Sequence, residues 1–248
     1  MFNGDQQLHQ KSFVTKIPDK IRVSVGSAIV LELMRGKIDA LPTTLYLLTY
    51  RAGKCSANCG FCPQARESKS RADMLSRVTW PTFPTRQTLR KLRDIAEKGL
   101  IKRICIQALN YPTVFSDVLN LVKEIRSIVD LPLSISCQPF GEKEMKKLAQ
   151  MGVDRIGIPL DSATKDIFDK VKGFLADGPY VWPKQQEALK RAVKIFGEGR
   201  VSTHLIVGLG ETEEEMVKMI QWCVDNGVYP GLFSFTPVQG TALESGSQ

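Results

Sequence analysis

Three cysteines lie within eight residues of each other near position 60, at Cys55, Cys59 and Cys62. The spacing C-x3-C-x2-C lets three thiolates bind one metal centre from a single loop. A structural zinc site or a fully ligated four-iron cluster takes four protein ligands. Three thiols leave one metal position open, and an iron with a free position can bind a small molecule and pass it an electron. The alternatives are a zinc site with a distant fourth ligand and three unrelated core thiols.

The composition indicates a globular protein with a sizeable core. The chain has 248 residues, of which 43% are hydrophobic and 24% charged, and it fits one large domain. No apolar stretch is long enough to span a bilayer, and the N-terminus lacks the apolar region of a signal peptide. Six cysteines without a secretory signal favour metal or thiol chemistry over a disulfide framework. We therefore expect a cytoplasmic protein that does not bind membranes.

The net charge of +8 is distributed over several predicted helices and is not concentrated in one basic arm. This distribution favours solvated helix faces over a nucleic-acid surface. Docking to an acidic carrier protein fits the same charges. His9, in the polar N-terminal tail, is expected to be solvated.

Strand and helix patterns alternate after residue 42, which predicts parallel β/α units. Six units indicate an α/β fold, a partial (β/α)6 TIM-like barrel, with the site at the C-terminal ends of its strands. We expect residues 1–41 to form an extension with one helix near Ser24–Arg35, residues 42–248 to form the core domain, and Arg66–Pro84 to form a long active-site loop. The predicted strands are Thr43–Thr49, Lys102–Ala108, Leu131–Cys137, Asp154–Leu160, Arg200–Val207 and Leu232–Thr236, and the predicted helices are Thr88–Lys98, Val114–Ile128, Glu142–Met151, Lys184–Phe196 and Glu211–Asn226.

Two further cysteines fall on neighbouring predicted strands. Cys105 lies inside the second strand, and Cys137 ends the third. Because neighbouring strands are about 5 Å apart, two inward thiols could share a second cluster. Buried cysteine is also an ordinary small core residue. Cys223, in the middle of a predicted helix, is expected to be such a residue.

The cysteine spacing, with Phe61 just before the last thiol, resembles the radical S-adenosylmethionine (radical SAM) superfamily. The resemblance implies a 4Fe-4S cluster on Cys55, Cys59 and Cys62, with SAM bound to the fourth iron through its amino and carboxylate groups. It also implies reductive cleavage of SAM to a 5'-deoxyadenosyl radical, which abstracts hydrogen from the substrate.

Within that superfamily the chain resembles biotin synthase. The resemblance is carried by KCSANCGFCPQARES, RICIQALNYP, SCQPFGEKEMKKLAQMGVDRIGIPLDSA, LIVGLGET and VQGTALE, in that order. It implies an auxiliary iron-sulfur cluster that donates sulfur, with Cys105 and Cys137 as ligands. The third auxiliary cysteine falls at Ser202, and the auxiliary arginine would lie beyond Gln248. His204, two residues after Ser202, is a candidate replacement ligand, or else an ordinary core histidine.

The same resemblance implies a SAM site. Phe61 would lie along the adenine, and the turn that contains Ile206 and Gly208 would offer it backbone hydrogen bonds. Asp161 would contact the SAM ribose. A glycine-rich turn after a strand is common in β/α folds, and Asp161 could instead be the N-cap of a helix that begins near Thr164.

The run CSANCGFCPQARESKSRADMLSRV is similar to the archaeal-type two-component lipoyl synthases, which insert sulfur into an octanoyl chain on a carrier protein. This resemblance implies three partners: an octanoylated lipoyl-carrier protein, a sister radical SAM component and a low-potential electron donor such as ferredoxin. Nucleic acid is not an expected partner. The alternatives are biotin synthase acting on dethiobiotin, another biotin synthase-like radical SAM enzyme, and a non-catalytic iron-sulfur or zinc protein that binds RNA.

Overall fold

The computed structural model describes residues 17–246, which form ten strands, seven α-helices and one 3₁₀ turn. Residues 1–16, which include His9, lie outside the described part, as do the last two residues. The strands are β1 Lys20–Val23, β2 Thr44–Thr49, β3 Met74–Leu75, β4 Val78–Thr79, β5 Thr82–Pro84, β6 Arg103–Gln107, β7 Leu133–Ser136, β8 Arg155–Gly157, β9 Val201–Val207 and β10 Tyr229–Ser234. The helices are α1 Val25–Val30, α2 Thr85–Glu97, α3 Val114–Ile128, α4 Glu142–Gln150, α5 Lys165–Val171, α6 Trp182–Phe196 and α7 Glu213–Asp225, and the 3₁₀ turn is Phe174–Ala176.

Six strands form a continuous parallel series in the order β2-β6-β7-β8-β9-β10, and a helix precedes each strand after β2. This arrangement confirms the predicted partial barrel. A capping box begins α7, since the Thr212 hydroxyl accepts from the Glu215 amide and the Glu215 carboxylate accepts from the Thr212 amide. Among residues 17–246, no helix is long and apolar enough to cross a membrane.

The two faces of the central strands differ in chemistry. Ile104 and Ile106 of β6 are fully buried and belong to the main core, whereas Cys105 between them is only partly buried. On the inner face, a side-chain carbon added at Gly157 would meet the hydroxyl oxygens of Ser202 at 3.1 Å and Ser136 at 3.6 Å. The helices therefore cover an aliphatic outer face, while the inner face carries small polar side chains and thiols.

Two antiparallel strands extend the sheet beyond β2, which the sequence prediction did not include. β1 pairs with β2, and β5 pairs with β1. The segment Arg66–Pro84 is therefore not a plain loop, because it contains β3, β4 and the sheet strand β5. The predicted helix near Ser24–Arg35 is also shorter, since α1 ends at Val30 and Glu32 takes a left-handed backbone conformation with φ 54°. The predicted division at residue 41 stays a prediction.

Candidate active site

The loop with three cysteines follows β2 at the C-terminal end of the barrel, where its main chain bonds to three distant segments. The Ser56 amide donates to the Asn110 carbonyl at 2.7 Å, and the Gly60 amide donates to the Val171 carbonyl at 2.7 Å. The Gly60 carbonyl accepts from the Leu243 amide at 3.0 Å. Backbone contacts from both sides of the barrel thus hold the loop, independently of any metal.

Two side chains brace the same loop from within. The Lys54 ammonium donates to the carbonyls of Pro63 at 2.7 Å and Ser70 at 2.6 Å. The buried Gln64 amide donates to the carbonyls of Ala72 at 2.6 Å and Met74 at 2.5 Å. These bonds join the cysteine loop to the segment that leads into β3.

Each sulfur of the loop has a nearby source of positive potential. The Asn110 amide donates to Cys55 Sγ at 3.2 Å. Burial raises the pKa of Cys62 to about 12, and the backbone amides of Gln64 and Ala65 oppose that rise. Burial also raises the pKa of Cys59, and the Lys172 ammonium is the largest opposing influence. Thiolates here need positive charge to offset their desolvation.

The Lys172 ammonium itself is completely buried, and the sequence analysis did not single it out. Its side chain is 0% exposed, and Nζ donates to Asp161 Oδ2 at 2.7 Å and to the Pro159 carbonyl at 2.9 Å. It also lies over two aromatic rings, 5.4 Å from the Phe168 centroid and 4.9 Å from the Tyr180 centroid. The signal that could have identified it is a lysine on the apolar side of α5, next to the buried Phe168 and Val171.

The structure brings together three of the residues predicted to bind SAM. The Ile206 amide donates to the Asp161 carbonyl at 3.0 Å, and Ile206 and Phe61 pack into one small apolar cluster. Asp161 is 6% exposed and has a left-handed backbone with φ 66°. It is not the N-cap of α5, because Thr164 occupies that position and its hydroxyl accepts from the Ile167 amide. The alternative reading of Asp161 as a helix cap is therefore wrong.

The predicted role of the turn after β9 needs a correction. Gly208 has φ 100°, which suits glycine, but its amide donates to Glu211 Oε1 at 2.6 Å. The Leu209 amide donates to Glu211 Oε2 at 2.9 Å. Because Glu211 accepts from both amides, these two groups are not available as donors to an adenine. Gly208 as a SAM-binding residue stays a prediction, limited to close approach of its backbone.

A cavity of about 380 Å³ opens beside the cysteine loop. Its apolar wall includes Leu109, Val114, Phe115 and Phe140, and the rings of Phe115 and Phe140 meet edge to face at 5.3 Å. Several amide and hydroxyl groups of the lining satisfy each other: Gln185 donates to Gln138 at 3.1 Å, and Asn110 donates to Tyr180 at 3.1 Å. Among the described residues, Cys137 is the cysteine that lines the cavity. Asn110 also lines it, and its backbone amide donates to Cys55 Sγ in the cysteine loop.

The two strand cysteines were predicted to lie one above or beside the other, and they are not directly opposite each other in the sheet. Cys105 is opposite Ser134 in the parallel register of β6 and β7, and Cys137 lies three residues further along, just after the end of β7. Three residues of strand correspond to about 10 Å. Burial raises the pKa of both thiols, and no lysine or arginine offsets it at Cys137. As placed, the pair does not form a shared site, and the auxiliary cluster stays a prediction.

His204 lies on β9 near the SAM residues and not beside the strand cysteines. Its ring meets Phe233 edge to face at 4.9 Å, and its carbonyl accepts from the Asp161 amide at 2.7 Å. Burial lowers the pKa of His204, and the charged groups that act on it are Asp161 and Lys172. Its ligation of an auxiliary cluster also stays a prediction. Cys223 of α7 is fully buried in the main core, in agreement with the prediction.

The donor chemistry of the loop fits an iron-sulfur cluster. Within residues 17–246, the side chains as placed form no group of three His, Cys, Asp or Glu ligands around one ion. The soft thiol donors and the positive groups around each sulfur suit such a cluster, which would be held by Cys55, Cys59 and Cys62.

Comparison with known proteins shows related sequences of different activities. A biotin synthase of Sulfurihydrogenibium sp. (strain YO3AOP1) is 24% identical over 208 residues, which cover 79% of this chain and 56% of that protein. A GTP 3',8-cyclase of Petrotoga mobilis is 24% identical over 207 residues, which cover 82% of this chain and 59% of that protein. The chain thus spans somewhat more than half the length of these relatives.

Solved structures show the same fold. Methylornithine synthase superimposes with a TM-score of 0.66 at 14% identity, covering 82% of this chain and 57% of that one. The FeFe-hydrogenase maturase HydG from Carboxydothermus hydrogenoformans gives a TM-score of 0.61 at 19% identity, covering 87% of this chain and 49% of that one. The profile of the radical SAM superfamily matches residues 50–223, more than half of the chain and the whole of the cysteine loop. With three thiols at the end of the first parallel strand of a partial barrel, the chain belongs to the radical SAM superfamily.

Proposed function

We propose that this chain is one component of a lipoyl synthase, a radical SAM sulfurtransferase that inserts sulfur into the octanoyl chain of a lipoyl-carrier protein. When bound, a 4Fe-4S cluster on Cys55, Cys59 and Cys62 supplies the electron that cleaves SAM. The Asp161 carboxylate accepts a hydrogen bond from a ribose hydroxyl of SAM, and Phe61 and Ile206 flank the adenine of SAM. A sister radical SAM component and a low-potential electron donor such as ferredoxin complete the reaction.

The observation that carries this proposal is the cavity beside the loop. One wall of the cavity is aliphatic and aromatic and can receive an alkyl chain, whereas Glu144, Lys184 and several amide groups line the rest of it. Its volume of about 380 Å³ is within the range of small-molecule sites. The apolar wall would keep water away from an alkyl chain that lies against it, and water would quench a reactive radical.

The inserted sulfur needs a donor within the protein. An auxiliary iron-sulfur cluster is its expected form, and Cys137 is the better placed of the two strand cysteines because it lines the cavity. Cys105 lies about three residues deeper in the barrel. No step is assigned to a cluster shared by the two thiols.

Biotin synthase activity on dethiobiotin is the second candidate, supported by relatives of that name at 24% to 26% identity. One assay distinguishes the two candidate functions. The anaerobically reconstituted protein, with its sister component and reductant, is offered an octanoyl-lysine peptide or free dethiobiotin, and the products are analysed by mass spectrometry. The proposal requires a sulfur mass gain on the peptide. Gain only on dethiobiotin would establish the second candidate.

Variants of the two strand cysteines test the position of the sulfur source. We expect Cys137→Ser to abolish the mass gain while SAM cleavage continues. Cys105→Ser should retain more sulfur transfer than Cys137→Ser, and Cys223→Ser, a buried helical thiol away from the site, serves as the control. Equal and complete loss in both strand variants would instead indicate that the two thiols act at one shared cluster.

A further inference from the structure

Lys172 is the completely buried lysine of the site, and the proposed function assigns it no role. Its ammonium bonds to the Asp161 carboxylate and the Pro159 carbonyl and faces the rings of Phe168 and Tyr180. Burying an ammonium is costly, and a buried ion pair can often be replaced by apolar side chains without loss of stability. A methionine would fill this space between two rings. The charge is therefore better explained by a function than by folding.

The position of Lys172 links the cysteine loop to the SAM residues. The rings of Phe168 and Tyr180, which face its ammonium, form one cluster with Ala57 and pack against Cys55 and Cys59. On its other side, the ammonium holds Asp161 Oδ2. Within residues 17–246, Oδ1 of Asp161 accepts no hydrogen bond, so that oxygen is available to a ligand.

We propose that Lys172 is a positioning residue that holds the Asp161 carboxylate for a hydroxyl group of SAM and also offsets the negative charge of an iron-sulfur group beside Cys59. The inference rests on the proposed binding of SAM and a cluster at this loop. One-electron reduction adds negative charge to the cluster, and a nearby buried ammonium stabilises that charge more strongly than an exposed one would. Lys172 therefore makes the cluster easier to reduce.

Four variants separate the two tasks: Lys172→Met, Asp161→Asn, the double variant Asp161→Asn/Lys172→Met, and Lys165→Met as the control. Lys165 is the first residue of α5, the helix that ends just before Lys172; it is 61% exposed, and its ammonium pairs with Asp169 at 2.5 Å. Each protein is reconstituted anaerobically and its iron is counted. The midpoint potential of the cluster is then measured by titration monitored with electron paramagnetic resonance. SAM affinity is measured by equilibrium dialysis.

Lys172→Met should shift the reduction equilibrium at least tenfold toward the oxidised cluster, which corresponds to about 59 mV for one electron. It should also weaken SAM binding about tenfold. Asp161→Asn should weaken SAM binding without making the potential more negative, and Lys165→Met should change neither. The double variant has no unpaired buried charge, so it allows the comparison even where the single lysine variant fails to fold.

The double variant decides whether Lys172 acts on the cluster directly. We expect its potential to remain more negative than that of Asp161→Asn, because the ammonium is still missing. Equal potentials in these two proteins would mean that Lys172 only holds Asp161 and would overturn the direct charge effect. Wild-type SAM affinity and potential in Lys172→Met would overturn the inference alone. A wild-type protein that takes up iron but neither binds nor cleaves SAM would overturn the proposed function as well.

Discussion

The loop cysteines and the strand cysteine Cys137 have opposite kinds of groups around them. Around the loop, amide groups and an ammonium face the sulfurs, as at Cys55, where the Asn110 amide donates to Sγ. Around Cys137 the influence that follows burial is the Glu144 carboxylate, which raises the thiol pKa further. Burial disfavours the thiolate in both regions, but positive groups oppose that effect at Cys59 and Cys62 and none does so at Cys137. A cluster at Cys137 would itself have to offset the burial of that thiolate.

The two regions also differ in how they are held. The loop is irregular, yet its backbone bonds to segments that are distant in sequence, such as Asn110 and Val171. Cys105 is fixed by regular strand pairing, opposite Ser134. A strand cannot bring residues three positions apart in register to one point without breaking its ladder. A second cluster at Cys105 and Cys137 would thus need a local rearrangement that the loop does not need.

The largest expected effect is the difference in iron binding between the two regions. Cys62→Ala should remove most of the cluster iron, about four per chain, because a cubane with two protein ligands is unstable. Cys137→Ala should leave that iron in place. Iron and sulfide counts after anaerobic reconstitution provide the measurement, with Cys223→Ala as the matched control. Loss of all iron in Cys137→Ala would contradict the comparison.

The sequence predicts the loop region better than the arrangement of the strand cysteines. Helix Val114–Ile128 has the predicted bounds, because both its apolar spacing and the positions of the strands on either side indicate a helix there. The loop cysteines are identifiable because their spacing is local. The relative positions of Cys105 and Cys137 were harder to predict, because strand register depends on pairing between segments about 30 residues apart in sequence.

The omissions also have physical reasons. Strand β1 has only four residues, and its pairing partners are β2 and β5, so its sequence carries a weak local signal. Lys172 was overlooked because a lysine in a helix is usually exposed. Its burial depends on Asp161 and on two aromatic rings, Phe168 and Tyr180, whose meeting only the tertiary structure shows.

A smaller effect is expected from the hydrogen bond between Tyr180 and Asn110. The Asn110 side chain donates to the Tyr180 hydroxyl at 3.1 Å, and the Asn110 amide donates to Cys55 Sγ at 3.2 Å. Tyr180→Phe removes the first bond, so we expect a loss of about 1 kcal/mol in the free energy of unfolding of the metal-free protein. It should also give faster cluster loss in air. Denaturant unfolding and decay of the cluster absorbance measure the two effects.

The control for that bond is Tyr111→Phe, since the buried Tyr111 hydroxyl is near Thr49 and Asp117 but makes no hydrogen bond of good geometry among the described residues. Its removal should not destabilise the protein, because an unsatisfied buried polar group is itself unfavourable. Equal destabilisation in Tyr111→Phe and Tyr180→Phe would show that ring contacts, and not the Asn110 bond, support the loop.

The last expected effect is a pH dependence of stability at His204, whose pKa is lowered by burial. Between that lowered pKa and about 6.5, the unfolded chain binds more protons at this histidine than the folded chain does. The stabilisation is therefore present above pH 6.5 and decreases as the pH falls. His204→Gln should reduce the loss of unfolding free energy between pH 7 and pH 5, by at most about 1.4 kcal/mol per pH unit. Denaturant unfolding of the metal-free protein at several pH values measures this slope, and an unchanged slope would show that His204 titrates normally.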